Sequence, residues 1–120
     1  MNINPEIMYL ETLTGLPVSP DVYTGNNDSF IVFAYEYERP VDHADDAPIA
    51  DSVDVQVNLY TPTNMNFLTL KDQIKTYLET LGEVTNIRSW IDPTNVGGKS
   101  DLESTIRHTA FSVTITKGRS

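Results

Sequence analysis

The chain has 120 residues, 39% of them hydrophobic, with six Tyr, four Phe and one Trp. That suits a single domain over 1–120 with a core of its own and excludes a chain disordered throughout. With no cysteine, disulfides, thiol nucleophiles and Cys-based zinc sites are excluded, and a net charge of −9 from 17 acidic and 8 basic residues disfavours holding phosphate backbones.

The opening stretch has no basic region and no apolar run of the kind a secretion signal needs, and no run is long enough to span a membrane. Residues 4–14 read as a short helix. Asn4 is placed to cap it, Pro5 suits the first helical position, and Glu6 suits the positive end of the helix dipole. Ile7, Leu10 and Leu13 share a stripe, and Gly15 is a stop. Pro17 and Pro20 then hold the chain extended. Residues 21–28 read as a loop with a turn at Gly25-Asn26.

The run SFIVFAYEYER (29–39) has strand composition. Its faces, Phe30/Val32/Ala34 and Ile31/Phe33/Tyr35/Tyr37, are both apolar, so it needs cover on both sides: either it is central or one face meets a partner. Residues 40–51 hold two prolines and four aspartates and read as a loop or the tip of a long hairpin. SVDVQVNLY (52–60) alternates, with Val53, Val55, Val57 and Leu59 inward and Asp54, Gln56, Asn58 and Tyr60 outward.

Residues 66–81 carry the clearest helical period, through Phe67, Leu70, Ile74, Tyr77, Leu78 and Leu81. Asn66 caps it, or Thr69 with Asp72 forms a capping box if the helix starts later; Gly82 ends it. Residues 83–92 read as a strand, DPTNVGGKSD as a loop, and 103–117 as a long last strand with Thr109, Phe111, Val113 and Ile115 on one face. The expected architecture is α+β: a mostly antiparallel four-stranded sheet with helices packed on one face, in the order α-β-β-α-β-β.

Candidate chemistry is sparse. Asp42, His43, Asp45, Asp46 and Asp51 form the densest set of possible ligands, but their spacing matches no calcium-binding loop, and a solvated acidic loop is the plainer reading. His43 with Asp46 has no activated nucleophile to serve. Gly97-Gly98-Lys99-Ser100 resembles the end of a phosphate loop, yet the pattern lacks its first glycine and leads into a strand. His108 lies mid-strand beside Ile106 and Ala110 and reads as a packed or interface histidine. No catalytic, cofactor or metal residue is assigned.

The chain as a whole resembles a known group of proteins. The resemblance runs over roughly 5–117 and is carried by P-x-x-Y-T-G-N-N-D (20–28), FIVFAYEYER (30–39), VDVQVNLYTP (53–62), N-M-N-F-L-x-L-K-x-x-I (64–74) and R-H-T-A-F-S-V-T-I (107–115). These resemble the small neck and tail-completion proteins of long-tailed bacteriophages, variously labelled tail terminator, head–tail joining or minor capsid proteins. The resemblance implies a structural virion protein made in the bacterial cytoplasm. It implies a homo-oligomeric ring, typically a hexamer, that terminates the tail tube and joins it to the head. Its partners would be the tail tube protein and head-connector proteins, with DNA passing through the channel without specific binding.

On this reading Phe30, Val32, Phe33, Tyr35, Tyr37 and Trp90 are interface residues, and Asp42, His43, Asp45, Asp46 and Lys99 line the channel or touch neighbouring subunits. A monomeric adaptor domain binding one partner through the aromatic strand is the alternative. A metal-dependent enzyme built on His43 and the aspartates is a third reading.

Overall fold

The computed structural model describes residues 2–44, 47–93 and 105–118. The elements run α1 (Asn4–Thr14), β1 (Val18–Pro20), β2 (Phe30–Ala44), β3 (Ala47–Pro62), α2 (Phe67–Leu81), β4 (Glu83–Pro93) and β5 (Thr105–Gly118). The sheet has five strands in the order β1-β2-β3-β5-β4. The protein is α+β, but the expected four-stranded sheet and the order α-β-β-α-β-β are corrected. The order is α-β-β-β-α-β-β, and the sheet is mixed, because β1 pairs with β2 in parallel.

The missed strand is Val18–Pro20, flanked by Pro17 and ended by Pro20, too short to show alternation. Its neighbour makes it a strand. Ile31 N–H donates to the Pro17 carbonyl at 2.8 Å, and Asp21 N–H donates to the Phe33 carbonyl at 2.8 Å. Proline is tolerated because the strand sits at the sheet edge, where one side of the backbone needs no partner.

The stretch 40–51 is hairpin rather than loop: β2 and β3 stay paired from Phe30↔Tyr60 out to Ala44↔Ala47. Among the described residues Pro40 falls where β2 has no outer neighbour, since β1 ends opposite Phe33, and β5 ends opposite Ala50. Pro40 therefore removes no needed ladder bond. The hairpin therefore leaves the sheet as a two-stranded arm, and the molecule is elongated, 60 × 26 × 22 Å.

Both helices lie on one face of the sheet. Ile3, Ile7 and Leu10 of the α1 segment and Ile74 and Leu78 of α2 are fully buried against Ile31, Phe33, Val53, Val55, Val57, Leu59, Phe111, Val113 and Ile115. The stripe on α1 starts one turn earlier than expected: Ile3 is buried and Leu13 is exposed. Asn4 is not the cap. It is the first helical residue, its N–H is accepted by Asn2 Oδ1, and its own Oδ1 accepts from the Tyr35 hydroxyl at 2.6 Å. Gly15 closes α1 at φ 77°, donating to the Glu11 carbonyl. For α2, Asn66 is the cap: its side chain accepts from Leu68 N–H at 3.2 Å.

Gly82 follows α2 with extended backbone and donates to the Leu78 carbonyl at 3.0 Å. Here glycine is demanded by space. A Cβ at Gly82 would stand 2.2 Å from the Thr114 carbonyl oxygen, a backbone atom of β5 that cannot swing away. Gly82→Ala is therefore expected to destabilise the fold by about 1–3 kcal/mol, read as a lower urea midpoint.

One ion pair ties the last strand to the first helix. Lys117 Nζ hydrogen-bonds Glu6 Oε1, and this contact, with the Glu6 backbone N–H, holds the Glu6 carboxyl below its ordinary 4.5 against the opposing effect of burial. Burial, then the neighbouring Glu6 and Tyr9, raise the Tyr77 hydroxyl, which donates to the Glu6 carbonyl at 2.7 Å. Because the folded value of Glu6 is lowered, its stabilisation is complete above 4.5 and is lost as pH falls through the folded value. Both side chains are partly exposed, so the pair is worth under about 1 kcal/mol. Lys117→Met should therefore lower the melting temperature slightly at neutral pH, by a difference that shrinks as pH falls below 4.5.

Candidate interaction surface

The register builds the second face of the sheet, opposite the helices, as rows of side chains. The first row is Phe30, Tyr60, His108 and Trp90, each opposite the next across β2, β3, β5 and β4. The second is Val32, Asn58, Ala110 and Arg88, and the third Ala34, Gln56, Ser112 and Asn86. Beyond these the face turns polar. Arg39 pairs with Asp54 at 3.2 Å, and Thr114 donates to Asp54 at 2.7 Å.

The first row is a ladder of rings. Tyr23 stacks on Phe30 at 4.4 Å, Phe30 on Tyr60 at 4.9 Å, and Tyr60 on His108 at 4.3 Å, with planes 20–24° apart. Trp90 closes the row against His108 at 4.2 Å, tilted by 50°. The Arg88 guanidinium lies 5.3 Å over the Trp90 ring. Rings on adjacent strands stand close to the strand spacing, so stacking turns their faces toward one another and their edges outward. Such a row cannot act as a platform for bases or sugars, which need free ring faces. It offers a partner hydrocarbon edges of partial positive charge.

Asn58 anchors the row from beneath. It is buried; its Nδ2 donates to the Val32 carbonyl at 3.3 Å and lies 3.5 Å from Gln56 Oε1. With the amide nitrogen so engaged, Asn58 Oδ1 accepts from His108 Nε2–H at 2.8 Å, which fixes the ring in the ladder.

The expected interface residues separate into three places. Phe30, Val32 and Trp90 lie on this face, half-buried. Phe33 is fully buried in the core and offers no surface. Tyr35 points to the helix side, where its hydroxyl accepts from Ile3 N–H at 2.9 Å. Tyr37 was expected on the face of Phe33 and Tyr35. A bulge lies between Tyr35 and Tyr37, with Tyr35 opposite Val55 and Tyr37 opposite Asp54, so Glu36 is the extra residue and Tyr37 crosses to the second face. There Arg39 lies 5.5 Å from its ring.

Asp42 and His43 fall in the arm, His43 opposite Pro48, but their side chains lie outside the described residues, as do Asp45, Asp46 and Lys99. The sequence reading placed Tyr60 and His108 on the right strand faces without bringing them together with Trp90. No sequence spacing could have done so, because the row joins residues from four strands.

No protein-family model matches the chain, and no curated protein matches it. Among the described residues no group of three His, Asp or Glu is placed to hold a metal ion, and no helix is long and apolar enough to cross a membrane.

Proposed function

We propose that the chain is a structural subunit of a bacteriophage head–tail neck, assembling as a ring that terminates the tail tube and joins it to the head. The observation that carries this reading is the second face of the sheet. Its ring edges and small apolar side chains form a half-buried surface suited to packing against protein, while nothing on it has the makings of a reacting centre. The whole-chain resemblance to tail-completion proteins supplies the kind of assembly. The projecting arm of β2 and β3 gives each subunit a means to reach a neighbour or a partner, since a two-stranded ribbon is marginal unless something packs on it.

The acidic balance suits a ring around DNA. A channel wall that attracted phosphates would retain the duplex, whereas a net charge of −9 does not. A head-to-tail interface that closes by rotation gives a ring of fixed copy number. Native mass spectrometry with magnesium, repeated on purified tail tubes, tests the reading: six copies per ring are expected. A single copy in both settings overturns it.

A further inference from the structure

We propose that the free protein pairs with a second copy of itself through the outer edge of β4, the two β4 strands running antiparallel about a two-fold axis at Ser89. This goes beyond the ring reading and does not rest on it. A two-fold contact is isologous and closes at two copies, whereas a ring is built head to tail.

Among the described residues β4 is hydrogen-bonded only to β5, and no described strand lies beside the outward backbone groups of its other side. Edge strands are normally blunted by lysine, proline or a bulge. The outer edge of β2 carries such devices: the bulge at Glu36, then Glu38 and Pro40. On β4 the bulge, at Thr85, and Pro93 both fall outside 86–92, leaving seven residues in unbroken register. Arg88 is the one cation in that stretch, and Ile91 is an exposed isoleucine at 52%.

The stretch is complementary to itself. Placed antiparallel with Ser89 opposite Ser89, it sets Ile87 against the second copy's Ile91 on the helix side, and Arg88 against its Trp90 on the ladder side. Each Ile pair covers an exposed Ile91 with a half-buried Ile87. Both Arg–Trp pairs repeat between copies the guanidinium-over-indole contact that Arg88 makes within one. A shift of one residue would set apolar side chains against the polar face, so the register is specified. The occupant is thus a second copy, because the edge carries its own complement. Seven paired residues a side is a small interface, so the pairing is expected to depend on concentration.

The chain has no cysteine, so introduced cysteines report cleanly. Ser89→Cys places two thiols opposite one another at the axis, within the span of a disulfide. Under mild oxidation it is expected to give a covalent dimer much faster than Val22→Cys, a more fully exposed control on the far side of the sheet. Ile91→Lys, at an exposed position, is expected to weaken the dimer at least about tenfold in sedimentation equilibrium with melting unchanged. Crosslinking of Ser89→Cys no faster than the control overturns the proposal, as does an Ile91→Lys protein that keeps its fold and dimerises like the wild type. If Ile91→Lys does not fold, the cysteine comparison alone decides.

Discussion

Phe33→Ala is expected to lower the stability of the fold by about 3–5 kcal/mol. Phe33 is fully buried, opposite Val57, with the buried side chains of both helices in the same core. Removing the ring leaves a cavity walled on one side by strands hydrogen-bonded into the sheet, which cannot close in to fill it. Domains of this size are stable by only about 5–15 kcal/mol, so much of the folded population is at risk. Urea denaturation reads the loss directly. A change under about 1 kcal/mol would be out of line with full burial and would move Phe33 back to a surface role. The variant matters for function because Phe33 belongs to the same aromatic strand as Phe30 and Val32. Any assembly defect it shows is expected to follow from unfolding, and to be restored at lower temperature.

Trp90→Ala should behave in the opposite way. Trp90 ends the aromatic row at a sheet edge, half-buried, tilted against His108 and covered by Arg88. Losing one exposed-side aromatic contact costs the fold about 0.5–1.5 kcal/mol beyond its area. At an interface, a Trp anchor commonly contributes 2 kcal/mol or more, roughly thirtyfold in affinity. The expected result is a protein that stays folded with a lowered melting temperature and fails to assemble at concentrations where the wild type does. Mass measurement beside a melting curve separates the two effects. Unchanged assembly would remove the aromatic row from the interface and direct attention to the arm. Because Trp90 also faces the proposed β4 pairing, the copy number lost (two or six) tells which contact has failed.

The period of 3.6 in α2 and the strict alternation of β3 were legible from single residues, because burying one stripe or one face is a local demand on the chain. The cap at Asn66, the stops at Gly15 and Gly82 and the α+β class follow from the same local chemistry. Even so, the reason for glycine at position 82 is a backbone oxygen of β5, 32 residues away in the chain. β1 is a strand only because β2 lies beside it, and Pro40 is accommodated in β2 because no described strand lies on its outer side there. The bulge at Glu36 reverses the side of Tyr37, and no pattern of hydrophobicity announces a single inserted residue. The ladder of Phe30, Tyr60, His108 and Trp90 depends on register across three strand pairs. Which faces are apolar is therefore written in the sequence, since solvent acts on each residue separately. Which side chains touch is decided only when the strands pair, because register is a property of two segments and never of one.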